Sequence, residues 1–226
     1  MMTSLPLLLA SASPRRRQIL SLLGLPYHVC VSPIDEEAIQ EHYSGPIEGL
    51  AAWLAEQKAL GALSLPEAAG HIVVTADTTV LLNGEVLGKP RDTAHARELL
   101  LSLRDRWHRV ITGLAVSKIT NGQVQVRSAS CTTPVLMRPY SEEDVASYIA
   151  TGDPMDKAGS YGIQHASFQP TARINGCYLN VVGLPLCTLV TLLAEFDVYP
   201  AVTGRKAPGC PWSERCQLQQ EVSACP

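Results

Sequence analysis

The sequence predicts an α/β fold, a mixed β-sheet with helices packed on it. Strand-like and helix-like stretches alternate along the chain, as strand-helix-strand units require. Two Asn-Gly pairs, Asn83-Gly84 and Asn121-Gly122, lie between β-type runs and signal antiparallel hairpins. Hydrophobic residues make up 46% of the 226 positions and charged residues 17%, enough apolar material for a packed core. That length suits one α/β domain, or two lobes sharing a sheet.

Leu5 to Ala10 reads as a buried strand. With Ser11-Ala12-Ser13 behind it, the run also resembles a truncated signal peptide. Met1 to Pro6 carries no Lys or Arg, however, and the apolar stretch is short for a secretory core. Ser13 caps a helix with Pro14 at its first position, where proline is tolerated. Ile19, Leu20, Leu22 and Leu23 give that helix its apolar face, and Gly24 ends it. Tyr27 to Val31 is a second strand. Gly45-Pro46 opens a helix to about Leu63, with Leu50, Trp53, Leu54 and Leu60 as the expected buried stripe. Ile72 to Thr75 is a strand rich in β-branched residues, and Thr79–Leu82 and Glu85–Leu87 flank the first hairpin turn.

Thr93 starts a helix to about Leu103. Val110–Ile119 and Gln123–Met137 form the second hairpin. Ser141-x-x-Asp144 is a capping box for a helix to about Ala150. Thr151 to Gln164 reads as a loop, Tyr178 to Val182 as a strand, and Pro185 begins a last helix to about Phe196. Beyond Tyr199 the periodicity stops. The expected domain is 1–199, with 200–226 a flexible Cys- and Pro-rich tail.

The net charge of −3 gives no basic footprint for nucleic acid. No apolar run approaches the roughly 20 residues of a spanning helix, so a cytoplasmic protein without a membrane partner is expected. Of seven cysteines, Cys30, Cys131, Cys177 and Cys187 read as small buried hydrophobes. Cys210, Cys216 and Cys225 crowd into the tail, and no C-x2-C spacing signals zinc.

Several segments can carry chemistry. Ser11-Ala12-Ser13-Pro14-Arg15-Arg16-Arg17 joins a strand to a helix N-terminus, which offers free N–H groups and a positive dipole end to a phosphate. Arg15 and Arg16 add fork-shaped donors, although three adjacent arginines point in different directions and cannot all serve one site; the alternative is a capped surface helix with solvated arginines. Gly84 to Pro90 is not a P-loop: the glycine spacing is one short and Pro90 replaces the metal-binding hydroxyl. Asp77 follows the strand Ile72–Thr75, where it can activate water, hold a metal or simply cap a turn. Asp35-Glu36-Glu37 and Lys58 are, alone, ordinary solvated charges. Lys157 lies in a Gly-rich stretch ending at Gln164 that can grip a polar ligand or form a structural turn.

Taken together, these segments resemble the Maf family of nucleoside triphosphate pyrophosphatases, from Leu7 to about Glu195. The likeness rests on Ser11-Ala12-Ser13-Pro14-Arg15-Arg16, Asp35-Glu36, Leu54 to Ala59, Ala76-Asp77-Thr78, Gly88-Lys89-Pro90, Thr112-Gly113, Thr151 to Gly159 and Asn180 to Pro185. It implies an elongated mixed β-sheet flanked by helices, with two lobes around a central cleft, similar to inosine-triphosphate pyrophosphatases. Asp77 would be the proton acceptor, with Glu36, Lys58 and Lys89 as further catalytic charges. Ser11, Arg15 and Arg16 would bind phosphate. Arg16, Thr78 and Gln164 would read the base, and Glu36 and Asp77 would ligate Mg2+ or Mn2+.

The stretch Tyr161-Gly162-Ile163-Gln164 is similar to the branch that cleaves dTTP and UTP to monophosphate and pyrophosphate. Removal of non-standard nucleotides and a link to cell-division arrest are implied roles, and a homodimer is possible. His165, Cys177 and Leu179 depart from the family pattern. The rival reading is a non-catalytic nucleotide- or partner-binding regulator of septation.

Overall fold

The computed structural model describes residues 5–200. The strands are β1 (Leu7–Ala10), β2 (Tyr27–Cys30), β3 (Ile72–Leu82), β4 (Glu85–Leu87), β5 (Trp107–Thr120), β6 (Gln123–Met137) and β7 (Thr171–Ile174). The helices are α1 (Pro14–Ser21), α2 (Glu36–Gln40), α3 (Leu50–Leu63), α4 (Thr93–Leu103), α5 (Glu142–Ala150), α6 (Tyr178–Val182) and α7 (Leu186–Ala194). One seven-stranded mixed sheet runs β2-β1-β3-β5-β6-β7, with β4 paired to β3. The α/β class and the mixed sheet are as the sequence predicts. The tail, with Cys210, Cys216 and Cys225, lies outside the described residues. Among the described residues no helix is long and apolar enough to cross a membrane.

One edge of β3 is shared. β1 runs parallel to it over Leu7–Leu9 against Ile72–Val74, and β4 runs antiparallel over Val80–Leu82 against Glu85–Leu87. β5 pairs along the other edge, from Val73 to Leu81. Thr75 to Thr79 therefore has a strand on one side only, and the opposite side is a window in the sheet.

Side chains alternate across a strand, so odd and even positions of β3 face different layers. On one face, Thr75 Oγ1 donates to Ala55 O at 2.6 Å and Leu81 packs with Ala51 and Ile111, both under α3. On the other face there are two cores. Ile72, Val74 and Ala76 join Leu20, Leu114, Leu184 and Leu189, under α1 and α7. Val80 and Leu82 join Leu100, Val110, Val135, Tyr140 and Tyr148, under α4 and α5. These cores define two lobes on one continuous sheet.

Three expectations need correction. Ala76 to Thr78 is no break: β3 continues through it because β5 supplies an unbroken antiparallel partner, so Asp77 sits in mid-strand. Tyr178–Val182 is helical, not a strand. Gly183 at φ 117° closes that helix, its N–H donating to Leu179 O at 3.0 Å, and the neighbouring strand position on β6 is taken by β7, which the sequence reading missed. Finally, α3 does not bury Trp53 and Leu60, which are half-buried and exposed; its buried stripe is Leu50, Ala51, Leu54, Ala55, Lys58, Ala59 and Ala62. Small residues there let helix and sheet approach closely. Of the four described cysteines, Cys177 is buried and Cys30, Cys131 and Cys187 are only partly so.

The closest approach is at Gly113 of β5. A Cβ built there would stand 2.2 Å from the carbonyl carbon and oxygen of Ala51. Gly113→Ala must push α3 off the sheet, and we expect a loss of about 1–3 kcal/mol from overpacking, read as a lower urea midpoint. An unchanged midpoint would show that the helix–sheet contact can give.

A second test concerns His108, buried on β5. Its Nε2 shares a hydrogen bond with the Tyr161 hydroxyl at 2.6 Å, and burial drives the imidazole pKa down to about 4. The folded value is thus depressed below the unfolded 6.5. The neutral imidazole contributes its full stability above pH 6.5. That contribution fades as pH falls towards 4, because the unfolded chain takes up the proton first; it amounts to ~3 kcal/mol at most. Thermal melts from pH 7 to 4.5 should show a shallower decline for His108→Gln than for wild type; parallel profiles would remove His108 as a source.

Candidate active site

The window in β3 opens into a cleft of about 900 Å3 between the lobes. Ser11, Arg15, Arg16, Glu36, Lys58, Asp77, Thr78, Lys89 and Gln164 all line it. Their convergence follows from the strand ends. β1 stops at Ala10, so the chain leaves the sheet beside the window and turns through Ser11–Ser13 into α1. β4 stops at Leu87 on the other side of the window, and Gly88-Lys89 follows at once. The two loops bearing Arg15 and Lys89 thus flank the same gap.

Lys58 is the centre of the charged wall. It projects from α3 and is 4% exposed. Its Nζ lies 2.7 Å from Asp77 Oδ1 and 2.9 Å from Glu36 Oε2. Asp35 caps α2 by accepting from the N–H groups of Glu37 and Ala38, which sets Glu36 on the first turn. A buried ammonium is costly unless paired, and a carboxylate pair without it would repel. Each group therefore holds the others in place. Solvated charges were the plainer expectation for Glu36 and Lys58; Lys58 is instead buried and paired, whereas Glu36 reaches it from an exposed position.

Asp77 faces α3, whereas Thr78, one residue on, faces the opposite layer. Arg16 Nη2 donates to Thr78 Oγ1 at 3.1 Å, and its Nε donates to Gly183 O at 2.9 Å. Burial lowers the Arg16 pKa, and the charges of Asp77 and Glu36 act against that. Gly183 holds φ 117°, a conformation that strains any side chain, and a Cβ there would also press on Thr78 Oγ1 at 3.2 Å. The three arginines do diverge. Arg15 lines the cleft, Arg16 is engaged in its wall, and Arg17 bends away to donate to Ala12 O at 2.9 Å. Ser13 Oγ caps α1 at Arg16 N, and Ser11 Oγ accepts from Ser13 N at 3.2 Å.

The facing wall comes from the chain after α5, where two short 3-10 turns, Asp153–Asp156 and Ala158–Ser160, replace the expected loop. Lys157 Nζ donates to Asp153 Oδ1 at 3.0 Å and to Asp156 Oδ1 at 2.7 Å. The buried Tyr148 hydroxyl donates to Asp153 Oδ2 at 2.6 Å and accepts from Gly162 N at 2.9 Å, which fixes the segment leading to Gln164. Gln164 is exposed on the cleft wall and hydrogen-bonds the Tyr178 phenol. Gly159 N donates to Gly88 O at 3.0 Å, so this wall is tied to the loop carrying Lys89.

Sequence reasoning gave no role to Thr112, Tyr148 or Asn180. Asn180 is fully buried: its Oδ1 accepts from Thr112 N at 3.1 Å, and its Nδ2 donates to Val110 O and Thr133 Oγ1, both at 2.9 Å. The available signal was a lone asparagine amid Leu179, Val181 and Val182, which a buried apolar strand would not carry without partners.

Among the described residues no three or more His, Cys, Asp or Glu side chains gather as a metal cage. Mg2+ does not need one: it is commonly held by one or two carboxylates together with substrate phosphates. The carboxylates on this wall are Glu36 and Asp77, both paired with Lys58.

Comparison with known proteins is consistent across the chain. A dTTP/UTP pyrophosphatase of Symbiobacterium thermophilum is 45% identical over 199 residues, covering 88% of this chain and 97% of that protein. One from Thermomicrobium roseum is 42% identical over 212 residues, covering 94% and 93%. A third, from Dehalococcoides mccartyi strain CBDB1, is 41% identical over 202 residues, covering 89% and 87%. Residues 6–196 match the family described as Maf-like protein. With that match spanning the sheet, the window and both walls of the cleft, the chain belongs to the Maf-like protein family.

Proposed function

We propose that this chain hydrolyses dTTP and UTP to the nucleoside monophosphate and pyrophosphate. The relatives' names support the reaction, and one observation carries its assignment to the cleft: Lys58 buried between Glu36 and Asp77, at a window flanked by the Ser11–Arg16 turn and Lys89. A protein that merely bound an anion would gain nothing from two carboxylates beside the phosphates.

In this reading Asp77 is the general base that takes a proton from the attacking water. The Lys58 hydrogen bond holds the carboxylate at one oxygen and limits its rotation. Ser11, Arg15 and Arg16, with the α1 N-terminus, hold the phosphates, and Lys89 approaches from the opposite rim. Pre-placed positive charge of this kind stabilises the charge that builds on the leaving pyrophosphate. Glu36 and Asp77 would hold Mg2+ or Mn2+, which supplies further charge neutralisation when bound. Thr78 and Gln164, with Arg16, read the base.

The test is a product assay with Mg2+. UTP and dTTP should yield monophosphate and pyrophosphate in equal amounts; nucleoside diphosphate and orthophosphate would overturn the reaction class. Asp77→Asn keeps the side chain's shape and should cost about 10²-fold or more in turnover, the low end for removing a general base. Wild-type turnover in that variant would remove Asp77 from the mechanism.

Base reading has its own measurement. Gln164→Ala should lower kcat/KM for UTP by about tenfold, the effect of one unsatisfied hydrogen bond, with a smaller loss for GTP. Equal losses on both nucleotides would leave Gln164 as a loop tether to Tyr178.

A further inference from the structure

The hydrogen bonds behind Thr78 run in a direction that chemistry fixes. A carbonyl oxygen only accepts, so Thr112 Oγ1, 2.9 Å from Asn180 O, commits its single proton there. The two hydroxyls of Thr112 and Thr78 are 3.0 Å apart, and one of them must donate. With Thr112's proton already engaged, the donor is Thr78. A guanidinium only donates, so Arg16 Nη2 fills one lone pair of Thr78 Oγ1 at 3.1 Å. Thr78 is left with one lone pair and no proton to offer.

The relay is held at its far end. Thr112 and Asn180 are both 0% exposed, so water cannot re-aim them. The Asn180 side chain cannot flip without facing its Oδ1 towards the Val110 carbonyl and its Nδ2 towards the Thr112 N–H. At the near end, Arg16 is pinned through Nε to Gly183 O. Thr78 itself is half-buried on the cleft wall.

We propose that Thr112 is a positioning residue that makes Thr78 an obligate acceptor, so that the site favours pyrimidine rings carrying a proton on N3. Uracil and thymine present N3–H to that lone pair. Cytosine presents a second lone pair, and the two repel. The relay sorts within the pyrimidines; guanine's N1–H would pass it and must be rejected by other contacts. The inference rests on the reading above that Thr78 faces the base.

The experiment measures kcat/KM for UTP and CTP with the full chain as wild type, Thr112→Val, Thr112→Ser and Thr78→Val. Wild type should prefer UTP; equal rates on UTP and CTP would overturn the proposal whether or not any variant folds. Thr112→Val keeps the side-chain shape and frees the Thr78 proton to turn into the cleft. Its UTP:CTP ratio should fall about tenfold, through a gain on CTP as well as a loss on UTP. Thr112→Ser restores the hydroxyl and should restore the wild-type ratio, which a merely structural role for Thr112 would not produce. A wild-type ratio in Thr112→Val alongside an altered ratio in Thr78→Val overturns the relay and leaves Thr78 at the base. An unchanged ratio in Thr78→Val removes Thr78 from the base, and the relay with it.

Discussion

The site depends on an edge of β3 that two different strands share and neither completes. β1 ends early and β4 begins late, and the backbone between them is held by β5 on the far side alone. That arrangement solves a placement problem. Neighbouring residues on a strand face opposite layers, so Asp77 and Thr78 would ordinarily serve separate surfaces. At an open edge both surfaces meet the same cavity. The Lys58–Asp77–Glu36 cluster then meets the cavity from the α3 layer, and the Arg16–Thr78 hydrogen bond from the α1–α6 layer, with no loop needed to bring them together.

The α3 layer is specialised for this purpose. A lysine beneath a sheet would be poorly tolerated without acidic partners, and here they come from two elements distant in sequence, α2 and β3. Alanines along the same helix face, with Gly113 beneath them, bring the helix axis near enough for the Lys58 side chain to reach Asp77 and Glu36 together. Packing and electrostatics are therefore one design: a larger side chain at Ala51, Ala55 or Gly113 would lift the ammonium away from the carboxylates.

Much of the fold was legible because its local signals agree. Ser13-Pro14, Ser141-x-x-Asp144 and the two Asn-Gly turns each fix an element boundary through backbone chemistry, and the structure has those boundaries. The misreadings have a common cause, since they depend on tertiary neighbours. Ala76-Asp77-Thr78 breaks an apolar run but not a strand, because β5 pairs through it. Tyr178–Val182 has β-type residues yet folds as a helix, because Asn180 finds its partners on β5 and β6 and Gly183 closes the turn. Trp53 and Leu60 fit the helical period but lose the core face to smaller residues. Of the cleft, the charged lining residues were legible through the order of their motifs and the family resemblance which that order carries. The supporting hydroxyls and amide were not, since a threonine in a strand gives no sign of which way its proton points.

The lobes are not joined by a linker. β3, β5 and β6 pass through both cores, so the cleft floor is a continuous hydrogen-bonded ribbon. In a hinged protein a few torsions separate the two halves and opening costs little. Here a change in the angle between the walls has to be absorbed as extra coil or twist spread over three paired strands, each resisting through its ladder. The construction is that of a leaf spring rather than a hinge, with strain spread along the paired strands instead of held at a few torsions.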